Sequence, residues 1–175
     1  MTTYKKLSLA LALMFLLIGA LFARATRSAS PQAAYDFTLQ GIDITQSNDL
    51  GNPIRLSDFR GQVVFLEFFA SWCRACVIAK PAVEALHIAN KNNDSVVVLG
   101  VNLSESPSVV AHFMRDKGIT HKVGIMDNVG ARRFNVTSIP TFMIIDQNGN
   151  IANVYRGFRL GMERTWQTDI NALLQ

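Results

Sequence analysis

The chain turns apolar almost at once. From Leu7 to Ala23 no charge intervenes, and Leu7, Leu9, Leu11, Leu13, Phe15, Leu16, Leu17, Ile18, Leu21 and Phe22 carry the run. Its length lies between a signal-peptide core and a short membrane-spanning helix. Lys5 and Lys6 precede it, Arg24 and Arg27 follow it, and Ala23-Arg24-Ala25 has the small-x-small spacing of a cleavage site. A buried core helix does not fit this place, at the extreme N-terminus and before the Ser/Ala/Pro-rich spacer Ser28 to Ala34. The expected organisation is a signal-anchor or signal peptide over residues 1–25, a linker over 26–34 and one domain over 35–175. Anchor and cleaved signal both remain open, and both carry the domain across the membrane.

Within the domain the pattern switches repeatedly between strand and helix periods. Phe37-Thr38-Leu39 and Ile54-Arg55-Leu56 read as short strands of a hairpin, separated by a polar stretch that ends in the turn signal Gly51-Asn52-Pro53. Ser57 to Gly61 predicts a capped helical turn. Val63 to Phe69 is a near-continuous apolar run, the mark of a central strand covered on both faces. A helix is predicted from about Cys73 to Asn90, with Val77, Ala82, Val83, Ala85, Leu86 and Ala89 on its apolar side and a kink at Pro81.

Val96 to Val101 is the next buried strand. Ser106 as N-cap and Pro107 at the first position open a second helix carrying Val109, Val110, Phe113 and Met114, and Gly118 ends it. A short strand over Val123 to Met126 and a short helix over Asn128 to Phe134 follow. Thr141 to Ile145 and Ile151 to Tyr155 form a hairpin about the turn Gln147 to Asn150, and a last helix covers Met162 to Leu174. Strand–helix–strand order demands parallel crossovers, and the late hairpin demands an antiparallel edge. The fold class is therefore α/β, a mixed central β-sheet flanked by helices.

Composition narrows the function classes. Hydrophobic residues make up 49% of the chain, which excludes a disordered protein. The net charge is +4, and Lys5, Lys6, Arg24 and Arg27 account for it. No basic stripe with interleaved aromatics marks a nucleic-acid surface, and Arg132-Arg133 reads as a solvated pair. The 2 cysteines sit three apart. A bridge closing so small a loop removes little entropy from the unfolded chain, so the pair has a reason other than stability.

That reason is chemical. Trp72-Cys73-Arg74-Ala75-Cys76 follows the apolar strand and opens a helix. At a helix N-terminus, unpaired backbone N–H groups favour a negative charge, so the Cys73 thiolate is stabilised, and Arg74 acts in the same direction. Cys76, one turn further in, can attack a mixed disulfide formed at Cys73 and release the reduced substrate. Zinc sites use the same spacing but need a second ligand pair. His87, His112 and His121 fall at no metal-site spacing and read as surface or helix histidines. Glu67 interrupts the apolar strand, where a carboxylate must be paired or protonated. It reads either as a proton acceptor for Cys76 or as an edge-facing or ion-paired acid, for example with Lys80.

The stretch from Glu67 through Trp72, Cys73 and Cys76 to Pro81 resembles thioredoxins. That family places a buried acid where Glu67 falls and a helix-kinking proline where Pro81 falls. Its cis-proline loop, facing the two cysteines, resembles Ser138-Ile139-Pro140-Thr141. Tyr35 to Leu39 with Leu56 to Gln62, and Val101 to Ser106 with its helix, resemble the N-terminal hairpin and central insertion of the membrane-anchored TlpA/ResA/CcmG branch. The branch often has proline where Ala75 stands, and some members have an acid where Ala79 stands.

The resemblance implies a thioredoxin-like fold from roughly Ala34 to the C-terminus and thiol–disulfide exchange. Cys73 is then the nucleophile and Cys76 the resolving thiol. Glu67 handles protons, Trp72 shields the thiol and contacts substrate, and Ile139 and Pro140 shape the groove for an extended substrate. It further implies a reductase of protein disulfides on the periplasmic face of a bacterial inner membrane, with apocytochrome c or copper-site proteins as substrates and a membrane thiol transporter as electron donor. No organic cofactor, metal or nucleic acid is implied. A disulfide-forming oxidant, which Arg74 favours, and a copper metallochaperone, which needs a third soft ligand, are the rivals. A peroxidase would need a peroxidatic cysteine in its own motif, and none is present.

Overall fold

A computed structural model describes residues 32–175; the expected anchor over 1–25 and most of the expected linker over 26–34 lie outside the described residues. Two short strands, β1 (Thr38–Gly41) and β2 (Ile54–Arg55), pair antiparallel as the predicted hairpin. The turn after them is a 3-10 turn over Leu56–Phe59; its N-cap residue Arg55 makes no capping bond, and the distant Asp36 side chain accepts the Ser57 N–H at 3.0 Å instead. Then come β3 (Val63–Phe69), α1 (Arg74–Asn90), β4 (Val96–Leu103), α2 (Pro107–Lys117), β5 (Lys122–Met126) and α3 (Asn128–Arg133). The hairpin β6 (Thr141–Ile145) and β7 (Ile151–Arg156) and the helix α4 (Met162–Leu173) complete the domain.

The sheet order is β2-β1-β5-β4-β3-β6-β7. β3, β4 and β5 run parallel, whereas β6 pairs with β3 and β7 with β6 antiparallel. Every residue of β3 is buried, because both faces of the sheet are covered. Val64, Leu66 and Phe68 point to one face, against Leu56, Ala131 and Phe134. Val63 and Phe65 point to the other, against Ala79, Val83 and Leu86 of α1 and Trp166 and Ile170 of α4. Phe65, Phe142 and Trp166 form an aromatic cluster there, with centroids 4.5 to 5.8 Å apart. Glu67 shares that face by the two-residue period of the strand.

α1 differs from expectation in the face it buries. Its inner residues are Cys76, Ala79, Lys80, Val83, Leu86 and Asn90, while Ala85 and Ala89 are exposed. Alanine is a weak marker of burial because it is good in a helix wherever it lies. The spacing from Cys76 onward is the helical repeat that governs packing. Pro81 lies inside the helix. α2 begins and ends as predicted, with Ser106 at the N-cap, Pro107 in the first turn and Gly118 left-handed at φ 62°. Gly100, in the middle of β4, is a close-approach position. A Cβ there would lie 3.0 Å from Val123 Cγ2, 3.2 Å from the Phe69 ring and 3.3 Å from His121 Nε2. Among the described residues no helix is long and apolar enough to cross a membrane.

Candidate redox-active site

β3 delivers the chain to the site. The strand ends at Phe69, and the Cys73 N–H closes a turn on the Ala70 carbonyl at 3.2 Å. Cys73 takes the N-cap of α1 with extended backbone, and its sulfur accepts the Cys76 N–H at 3.2 Å. A thiolate formed at that sulfur would accept the same bond with greater strength, since bonds to charged acceptors are stronger. Cys73 and Cys76 are joined as a disulfide with their Cα atoms 5.2 Å apart. Cys73 keeps 7% exposure and Cys76 none, so an incoming molecule meets Cys73 first.

The loop ahead of β6 faces the pair. The Ile139–Pro140 peptide bond is cis, and the Ile139 carbonyl oxygen lies 3.7 Å from Cys73 Sγ. Pro140 is buried, and its carbonyl accepts the Gly157 N–H at 2.8 Å, which ties the loop to the end of β7. Trp72, the residue before Cys73, is 74% exposed, and Arg74, the residue after it, is exposed as well. Cys73, Cys76, Ile139 and Pro140 are thus brought together at one end of the sheet. Trp72 is adjacent, on the surface rather than packed over the disulfide.

Glu67 sits behind this group. Its Oε2 accepts from Lys80 Nζ at 2.8 Å, and both side chains are buried, at 0% and 2% exposure. Lys80 also lies over the Phe69 ring, 3.2 Å from its centroid. Burial lowers the Lys80 pKa, and the neighbouring Glu67 carboxylate opposes that shift. The ion-paired arrangement is therefore the one present. It leaves room for a proton function, because Glu67 Oε1 is buried with no hydrogen-bond partner. Lys80 falls one turn after Cys76 on the same inner face of α1.

His121 is not a surface or helix histidine. It is buried just before β5, and its Nδ1 lies 2.8 Å from Glu84 Oε2. The Thr120 N–H donates to both Glu84 oxygens at 3.2 Å, and the Thr120 hydroxyl donates to Oε1. Burial alone would raise the Glu84 pKa, but the bonds from His121 and Thr120 outweigh it and take it down to about 2. His87 lies in α1 with its ring centroid 5.9 Å from that of His121, and His112 is exposed on α2.

Sequence reasoning did not single out Glu105 and Ser71. The Ser71 N–H and hydroxyl both donate to the Glu105 carboxylate, and Asn102 supports that carboxylate from β4. The available signal was Asn102, a polar residue at the end of an apolar strand and three before an acid. A groove of about 500 Å³ opens next to this link, between Ser71 and Val77 on one side and Val109, His112 and Phe113 on the other.

With the geometry in place, similarity to known proteins is consistent across sequence and fold. The model of the AhpC/TSA family matches residues 31–154. The chain is 33% identical over 138 residues to the thiol–disulfide oxidoreductase ResA of Geobacillus kaustophilus, covering 78% of this chain and 74% of that protein. It is 30% identical over 159 residues to ResA of Geobacillus thermodenitrificans, covering 90% and 86%. A crystal structure of a thiol:disulfide interchange protein DsbE from Chlorobium tepidum superposes with a TM-score of 0.72 at 27% identity, covering 84% of this chain and 99% of that one.

Proposed function

The chain belongs to the AhpC/TSA family, and from that premise we propose that it is an extracytoplasmic reductase of protein disulfides. Its fold is thioredoxin-like, and it is a thiol–disulfide oxidoreductase. The observation that carries the reading is the pairing of a slightly exposed Cys73 at a helix start, 3.7 Å from the Ile139 carbonyl, with a fully buried Cys76.

In the reduced protein the Cys73 thiolate attacks one sulfur of a substrate disulfide. The S–S bond breaks, the other substrate sulfur leaves as a thiolate and takes a proton, and Cys73 is left in a mixed disulfide. Cys76 then loses its proton and attacks Cys73 Sγ. The second substrate thiol departs, and the Cys73–Cys76 disulfide remains. Two electrons and two protons pass to the substrate, and no organic cofactor is needed. Glu67 receives the Cys76 proton at its unpartnered Oε1. Ile139 and Pro140 line the path of an extended substrate segment, which can use free backbone groups as a strand edge does. Trp72 offers an exposed aromatic face to the same segment.

The direction of flow follows the resemblance to the ResA branch: substrates are thiol-requiring proteins such as apocytochrome c or copper-site proteins. A membrane thiol transporter restores the dithiol, and residues 1–25 hold the domain at the membrane. The test uses the full chain. Cys73→Ser is expected to abolish reduction of a protein disulfide, and Cys76→Ser to accumulate a mixed disulfide resolved by added thiol. Thiol trapping in cells with a working donor is expected to find Cys73 and Cys76 mostly reduced. A mostly oxidised pair, with loss of substrate disulfides on deletion, would assign the protein to disulfide formation instead. Tags at both termini are expected in the membrane fraction; a soluble product lacking the N-terminal tag would establish a cleaved signal.

A further inference from the structure

The turn that presents Cys73 is held from outside the motif. Its closing bond, Cys73 N–H to the Ala70 carbonyl, leaves the N–H of Ser71 without a partner inside the turn. Glu105 supplies that partner from the loop between β4 and α2. The Ser71 N–H donates to Oε2 at 2.7 Å and the Ser71 hydroxyl donates to Oε1 at 2.5 Å. Asn102, fully buried at the end of β4, donates its Nδ2–H to Oε2 at 2.6 Å and accepts the Glu105 N–H on Oδ1 at 3.2 Å. The loop between them passes through Ser104 in the left-handed region at φ 60°, where a non-glycine residue is uncommon. Among the described residues no lysine, arginine or histidine nitrogen forms an ion pair with Glu105. The carboxylate is therefore held by neutral hydrogen-bond donors alone, and no ion pair offsets its charge.

We propose that Glu105 is a positioning residue for the exchange site. It fixes the turn carrying Trp72 and Cys73 through Ser71, and its charge counteracts thiolate formation at Cys73, which keeps the pair reducing. The role rests on the Cys73–Cys76 exchange reading. The physical logic is direct. The helix start and Arg74 stabilise the Cys73 thiolate and so favour the reduced form, which makes a pair more oxidising. The Glu105 carboxylate, bonded to the backbone N–H of Ser71 two residues before Cys73, acts in the opposite sense. The central insertion thus contributes to redox poise as well as to shape.

The test measures charge and position separately, on the full chain in detergent. Glu105→Gln removes the charge and retains the side-chain size. It is expected to shift the equilibrium with a glutathione redox buffer about fivefold to tenfold toward the dithiol, which at tenfold is about 30 mV. It is also expected to move the pH profile of Cys73 alkylation to lower pH. Glu105→Asp keeps the charge but shortens the reach to Ser71. It is expected to slow protein-disulfide reduction several-fold with the equilibrium unchanged. A role in stability alone would lower Tm in both variants and move neither the equilibrium nor the alkylation profile. A folded Glu105→Gln variant within twofold of wild type on that equilibrium overturns the electrostatic role. Should Glu105→Gln not fold, a Glu105→Asp variant as fast as wild type overturns the positioning role. Wild-type protein that reduces no disulfide at all overturns the exchange reading itself.

Discussion

Removing Lys80 while leaving Glu67 in place is expected to be the most destabilising conservative change near the site. At 2.8 Å the pair attracts by about 6 kcal/mol at an effective dielectric constant of about 20. Bringing both charges out of water has already cost several kcal/mol for each ion, so the net contribution of the intact pair is small. Lys80→Met deletes the attraction and leaves the Glu67 carboxylate buried with neither oxygen satisfied, since Oε1 already lacks a partner. It also removes the cation from the Phe69 ring face. The expected cost is about 3–5 kcal/mol, a fall in Tm of roughly 10 °C for a domain of this size. The paired variant Glu67→Leu/Lys80→Met removes both charges and is expected to recover most of that loss. Thermal denaturation of the four members of the cycle reads the coupling directly. A Lys80→Met cost below about 1 kcal/mol, or a double variant no more stable than the single one, would refute the buried-pair reasoning. The double variant also separates chemistry from stability: it is expected to stay folded while resolution by Cys76 slows near neutral pH.

Three further outcomes follow from other parts of the molecule. Glu67→Gln alone leaves Lys80 buried without its counter-charge, so it is expected to lower Tm as well as slow the second exchange step in the folded protein, and equal stopped-flow rates from about pH 6 to about pH 9, the range around thiol ionisation, would remove Glu67 from the proton path. Glu84, whose folded pKa is lowered from 4.5 to about 2, contributes stability that is complete above its unfolded value and is lost as pH falls through the folded one. Glu84→Gln is therefore expected to flatten the acid limb of the stability profile between those two values, and an unaltered limb in acid titration followed by circular dichroism would show that the His121–Thr120 link is idle. Gly100→Ala forces a methyl to 3.0 Å from Val123 and 3.2 Å from the Phe69 ring, and is expected to cost about 1–3 kcal/mol in chemical denaturation, whereas a neutral result would mean that β4 yields without strain.

Local signals account for the parts of the fold that were legible in sequence. Val63 to Phe69 and Thr141 to Ile145 are strands with the predicted ends, because a run of β-branched and aromatic residues bounded by turn residues has few alternatives. Ser106, Pro107 and Gly118 delimit α2 for reasons of backbone geometry that act within a few residues. The predicted inner face of α1 was partly wrong, since Ala85 and Ala89 are exposed and Lys80 is buried. A lysine enters a core only when a partner there takes its charge, and that partner is Glu67 of β3, since Glu84, one turn along α1, is bonded to Thr120 and His121 instead.

What the sequence determined by itself is the alternation of strands and helices, the parallel core with its antiparallel edge, and a dithiol placed at a helix start. These depend on chemistry within a few neighbouring residues: hydrophobic period, capping and the spacing of two thiols. What the tertiary structure alone decided is which distant side chains meet. Glu67 pairs with Lys80 across 13 residues, Ser71 with Glu105 across 34 and His121 with Glu84 across 37. Each of these polar residues had several possible partners along the chain. Only the packing of α1 and the β4–α2 loop against the sheet brings these particular partners within hydrogen-bond reach and removes the water that would otherwise satisfy them.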